Sequence, residues 1–124
     1  MFRAELKNYM KHYHKILNAV RENRSEITVG RYGQKKKLLL PEWTKKLEGY
    51  VEEILASEPN SIFQKVIREN LIEGKTDWKI FSELPISESG YYRYKRIFME
   101  RLYELYISEG MVTREEILKE SISE

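Results

Sequence analysis

Apolar residues recur every three or four positions over most of this chain, and that period predicts helices. Leu6, Met10, Tyr13, Leu17 and Val20 stand at spacings of 4, 3, 4 and 3. They predict one helix from Phe2 to about Asn23 with a single apolar seam. The seam lasts only about two heptads, short of a sustained coiled coil. It fits either packing on its own domain or contact with a second copy of the chain, and the second fit makes a homodimer an expectation. Trp43, Leu47, Tyr50 and Ile54, widened by Val51 and Leu55, predict a second helix over 42–57. Pro41 suits its first position, where a missing amide is no loss, and Glu58-Pro59 ends it. These two helices are expected to pair as an antiparallel hairpin. Ser61-Ile-Phe-Gln64 matches a capping box. Ile62, Phe63, Val66, Ile67 and Leu71 then form the buried face of a third helix, with Gly74 at its exit.

Between Arg24 and Leu40 the period changes. Ile27 and Val29 alternate with polar residues, and Gly30 and Gly33 bracket Arg31-Tyr32. A short hairpin or ordered loop around residues 27–37 is expected. Lys35, Lys36 and Lys37 follow. A run of three lysines is either solvated surface or an arm that contacts phosphates.

From Thr76 to Tyr106 the pattern is a short helix, a tight turn and a long helix. Asp77, Ile80, Phe81 and Leu84 share one face of the first. Pro85 stops it, because the residue before a proline is pushed out of the α region. Ser87 then caps the second helix, expected over 87–107. On a wheel, Tyr91, Tyr94, Phe98, Leu102 and Leu105 fall on one side. Ser89, Tyr92, Arg93 and Arg96 fall on the other. An apolar face opposite a short polar, cationic one, near the N-terminal end of the second helix, is what a DNA-reading helix-turn-helix requires. Arginine can hold guanine bidentately, and arginine or lysine can neutralise phosphates. An ordinary helical hairpin with a solvated basic face has the same pattern.

Gly110 is a stop for the long helix. Thr113-Arg-Glu-Glu116 is a further capping box with a Val112/Ile117 staple, so a short acidic helix is expected from about Arg114 to Ser121. The expected fold class is thus all-α, a helical bundle with a C-terminal helix-turn-helix. Its expected division is a helical arm with a basic loop over 1–58 and the helix-turn-helix domain over 59–124.

Composition narrows the chemistry. Across 124 residues, 34% are charged, and there is no cysteine for a disulfide or thiolate metal site. His12 and His14 point in different directions on a helix, so no metal role is expected. No apolar run is long enough for a membrane helix and no signal-peptide pattern stands at Met1, so a cytoplasmic protein is expected. No nucleophile–base pairing and no glycine-rich phosphate loop occurs, so neither an enzyme nor a cofactor is expected. The net charge is only +2, but it is polarised. Residues 24–40 carry Arg24, Arg31, Lys35, Lys36 and Lys37 against Glu26, a local +4. Residues 104–124 carry Arg114 and Lys119 against six glutamates, a local −4.

The stretch Thr76-Asp-Trp-Lys-Ile-Phe-Ser-Glu-Leu-Pro-Ile-Ser-Glu-Ser-Gly-Tyr-Tyr-Arg-Tyr-Lys-Arg96 resembles the helix-turn-helix of region 4 of bacterial sigma factors. Ile86 to Arg96 is more similar still to small transcriptional regulators of Gram-positive phages and prophages, the RinA and ArpU type. Their opening charged helix also resembles Glu5-Leu-Lys-Asn-Tyr9. The resemblance implies control of late phage genes by binding double-stranded promoter DNA. It carries the DNA-binding positions over to Ser87, Glu88, Ser89, Tyr92, Arg93 and Arg96. Arg93 and Arg96 are expected at bases or phosphates, and Tyr92 at a sugar or a thymine methyl. Ser87 is expected as cap and phosphate contact, Lys95 as a flanking phosphate contact, and Tyr91, Tyr94 and Phe98 as core. A different class remains open: an interaction adaptor that binds RNA polymerase or a packaging protein, or a small terminase-like DNA-packaging subunit. Salt separates the two, because DNA binding weakens steeply with ionic strength.

Overall fold

The computed structural model describes residues 2–30 and 33–110. In chain order these form α1 (Phe2–Met10), α2 (Tyr13–Arg21), β1 (Glu26–Val29), β2 (Lys36–Leu39), α3 (Leu47–Ser57), α4 (Ser61–Ile67), α5 (Asp77–Glu83) and α6 (Glu88–Ser108). A 3-10 turn, Glu42–Lys46, leads into α3, and a wider π turn, Arg68–Ile72, follows α4. The fold is mostly helical with one two-stranded antiparallel ribbon, as the residue pattern predicts. The expected last helix at 114–121 lies outside the described residues.

The predicted helix over 2–23 is two helices. The chain tightens at its break, where the Lys11 and His12 amides donate to Asn8 and Tyr9 carbonyls, three residues back, at 3.3 and 2.9 Å. His12 leaves helical geometry at φ −117°, and α2 restarts when Ile16 donates to the His12 carbonyl. The seam survives the break. Leu6, Met10, Tyr13 and Leu17 are all buried within this one chain, and Val20 is partly buried. The residues on which a dimer contact was expected are therefore already covered by the chain's own core.

What covers them is largely aromatic. Phe2, Tyr9 and Tyr106 surround Trp43 edge-on at 5.0–5.7 Å, and Tyr50 meets Tyr106 at 4.7 Å. Such edge-to-face pairs contribute about 0.5–1.5 kcal/mol each beyond the area they bury. The Tyr106 hydroxyl donates to the Trp43 carbonyl at 2.8 Å and the Tyr103 hydroxyl to the Arg3 carbonyl at 2.9 Å. These two bonds tie α6 to the start of α1 and to the 3-10 turn before α3. The spine of this core is α6, which buries Tyr91, Phe98, Leu102, Tyr103 and Tyr106. Helices α3 and α4 pack along α6. The expected hairpin between 2–23 and 42–57 is therefore limited: α2 meets the 3-10 turn that leads into α3, while α3 itself lies on α6.

Segment 27–37 is the expected hairpin, paired Glu26 to Leu39 through Val29 to Lys36. Ile27 and Val29 face inward on α2, which explains their alternation with polar residues. Gly30 adopts φ +111°, and a Cβ there would meet the Gln34 carbonyl oxygen at 2.4 Å, so only glycine fits. The cap of α4 differs from the expected box. Asn60, not Ser61, accepts from the Ile62 and Phe63 amides, and Gln64 turns back to the Leu55 and Glu58 carbonyls.

Candidate nucleic-acid interface

The unit α5–turn–α6 forms where its caps predict. The Thr76 hydroxyl accepts from the Lys79 amide at 3.3 Å and starts α5. Leu84 becomes extended at ψ 154°, as the following proline requires, and the Ile86 amide donates to the Leu84 carbonyl at 2.8 Å. Ser87 then caps α6 by accepting from Gly90 at 3.1 Å. Gly90 costs about 1 kcal/mol of helix propensity relative to alanine. The first turn of α6 supplies a reason for it: a Cβ would press on the Ser87 Oγ at 3.1 Å and on Ile86 at 3.2 Å.

One carboxylate holds the unit together. Asp77, in the first turn of α5, accepts from the Tyr91 hydroxyl of α6. It also pairs with Lys95 at 3.3 Å and accepts from the Asn70 amide at 3.3 Å. Burial, and then the bond to Asp77, push the Tyr91 phenol far above its ordinary value, so it stays a donor at any ordinary pH. Phe81 lies edge-on to Tyr91 at 5.6 Å, and Ile80 of α5 is fully buried. These contacts fix how the start of α6 sits on α5. Asp77 was expected only as a member of an amphipathic face. Its spacing carried no signal of the clamp.

The outward side of α6 carries the expected residues. Ser87, Glu88, Ser89, Tyr92, Arg93 and Arg96 are all exposed within its first three turns. Arg93 lies 5.9 Å from the Tyr94 ring, and among the described residues neither Arg93 nor Arg96 has an ion pair. Tyr92 is 47% exposed, with its ring near Phe81 and Tyr91. Partial desolvation, then the charges of Asp77 and Glu88, raise its phenol pKa. Glu88 suits the positive end of the helix dipole.

Three expected placements change. Lys95 is not a free flanking cation, since Asp77 holds it and its ammonium lies 5.5 Å from the Tyr91 ring. Tyr94 is only partly buried. It packs on Phe63 at 5.3 Å, and its hydroxyl accepts from Asn60 at 3.1 Å, while Tyr103 and Tyr106 fill the deeper core positions. Lys36 and Lys37 are part of strand β2, directly after Lys35, and not on a loose arm; Lys37 is paired with Glu26 across the ribbon at 3.2 Å.

No group of three potential metal ligands occurs among the described residues, and no helix there is long and apolar enough to cross a membrane. Compared with known proteins, the chain matches no family model, no curated protein and no solved structure.

Proposed function

We propose that this chain is a cytoplasmic, sequence-directed DNA-binding regulator that reads duplex DNA with the first half of α6. The observation that carries the reading is the joint geometry of α5 and α6. A capped helix, a proline turn and a second capped helix are locked by Asp77, and Arg93 and Arg96, without an ion pair among the described residues, lie on the exposed side of the second. A recognition helix needs that combination of rigid mounting and exposed bidentate donors. The narrower role, control of phage or prophage late genes alongside RNA polymerase, rests on the sequence resemblance.

The test is an anisotropy titration on DNA from upstream of the protein's own gene. Arg93→Ala or Arg96→Ala should lower specific affinity by roughly 1–3 kcal/mol where the arginine reads a base. Where it meets phosphate, the loss should be similar on all DNA, with the salt slope shallower by about one. Both variants should keep their fold, since surface substitutions seldom move stability by more than about 0.5 kcal/mol. A double variant that binds as wild type does across a salt series would remove α6 as the reader.

A second reading, the protein adaptor, is favoured by Trp78 on α5, 71% exposed, and Ile97 on α6, 41% exposed. An adaptor would hold its partner through such apolar residues, with little salt dependence.

A further inference from the structure

A groove of about 860 Å³ runs between α1 and the face of α6 that includes Tyr92, Arg96 and Met99. Arg3, paired with Glu100, and Tyr103, whose hydroxyl reaches the Arg3 carbonyl, line it as well. The turn after α4, ending at Lys75, forms a further part of its wall. Its cations are Arg3, Lys7, Lys11, Lys75, Lys95 and Arg96, against Glu100 as the one acid among its described lining residues.

Half of those cations are neutralised. Arg3 has Glu100, Lys75 has Glu69 at 2.5 Å, and Lys95 has Asp77. Lys7, Lys11 and Arg96 have no ion pair among the described residues and are exposed. Lys7 lies in the last turn of α1, and Lys11 is the first residue of the turn that ends it. Elsewhere in the chain, cations such as Arg21, Arg68 and Arg101 meet carboxylates. Within this groove, Lys7, Lys11 and Arg96 are the lining cations without an ion pair among the described residues.

We infer that Lys7 of α1 and Lys11 in the turn just after it, which line this groove together with Arg96, hold the phosphates of the DNA strand that flanks the base-reading face of α6. The inference rests on the DNA-binding reading above and adds a second helix to the interface. In it α1 and the turn after it supply position and salt-dependent affinity, and α6 supplies base discrimination. Arg96 belongs to both, because it lies on the exposed side of α6 and also lines the groove. Lys35 and Lys36 of the hairpin also lack an ion pair among the described residues, but they do not line this groove. An acidic protein helix is the other polyanion that a cationic rim over apolar side chains could take. Continuity of the rim with the reading arginine favours the DNA strand.

The experiment is a salt series of anisotropy titrations with two duplexes, the protein's own upstream DNA and a scrambled sequence of equal length. Lys7→Ala/Lys11→Ala should bind both more weakly and keep its preference between them. Its plot of log affinity against log salt should be shallower by about two charges, so that between roughly 50 and 200 mM salt it loses about tenfold less affinity than wild type. Lys7→Arg/Lys11→Arg should keep the wild-type slope. Lys46→Ala, an exposed cation outside the groove, should change nothing. Circular dichroism melts verify that each variant is folded. If wild type binds and depends on Arg93 and Arg96, but the alanine double variant keeps the wild-type slope, this inference fails and the DNA reading stands. If wild type binds neither duplex, both fail. If the double variant binds DNA normally but loses binding to a synthetic amphipathic Glu/Leu helix that wild type holds, the groove belongs to an acidic protein and the inference is overturned.

Discussion

Replacing Asp77 by Ala should loosen the joint between α5 and α6, and its effect can be built from its three contacts. The Tyr91 hydroxyl sits on a fully buried ring and donates to Asp77, so truncation strands that donor in the core. A hydrogen bond to a charged acceptor contributes about 1.5–3 kcal/mol. The ion pair with Lys95 adds less, because the two side chains are 35% and 40% exposed. Half-exposed pairs contribute about 0–1 kcal/mol. A carboxylate in the first turn of α5 adds about 0.3–1 kcal/mol through the helix dipole. The expected loss is thus about 2–4 kcal/mol, and for a chain of this length the midpoint should fall by roughly 8–20 °C. Thermal melts followed by circular dichroism measure it. A cycle with Tyr91→Phe isolates the mechanism: with no hydroxyl left to strand, Asp77→Ala should cost about 1–2 kcal/mol less. A single variant that melts within about 1 °C of wild type would refute the clamp. So would a cycle that is strictly additive.

Two further outcomes follow from the interior and from the end of α1. The Tyr13 hydroxyl is buried with no hydrogen-bond partner among the described residues. Tyr13→Phe should therefore leave stability unchanged or raise it by about 1 kcal/mol in a urea titration, and a clear loss would mean that the hydroxyl has a partner. His12 is held below its ordinary value of 6.5, first by burial and then by Lys15, Lys11 and Lys36. The unfolded chain thus binds the proton more readily than the fold does. The stability from a neutral His12 is present above pH 6.5 and is lost as pH falls through the lower folded value. Melts from pH 7.5 down to 5 should flatten in His12→Gln over that window, and an unchanged slope would exclude the histidine as the source.

Much of the fold was legible because burial here follows strict period. Trp43, Leu47, Tyr50, Val51, Ile54 and Leu55 are all buried, as their spacing required. Thr76, Pro85 and Ser87 placed the two helices of the motif to within a residue, since caps and prolines act through local geometry that tertiary packing seldom overrides. The break at Lys11–His12 had no such marker. Neither residue is glycine or proline, and the seam keeps its spacing straight through the interruption. A pattern that reports only which face is apolar has no access to an interruption that leaves that face unchanged.

Charge was the least legible layer, and the two lysine pairs explain why. Lys36 and Lys37 stand out in the sequence as part of a run, yet Lys37 is matched by Glu26, eleven positions earlier and adjacent only through the ribbon register. Lys7 and Lys11 look like ordinary solvated positions of an amphipathic helix, yet the fold sets them on one groove with Arg96, 85 positions after Lys11. A run of like charges measures local density. What a polyanion meets is the set of cations left unpaired on one face after folding. Lys95 makes the same point from the other side, since it stands between the reading arginines in sequence but turns inward to Asp77. Candidate phosphate contacts are better ranked by subtracting each cation's carboxylate partner in the folded chain than by counting lysines along it. On that ranking Lys37 drops out, and Lys7, Lys11 and Arg96 stand together on one groove that Lys35 and Lys36 do not line.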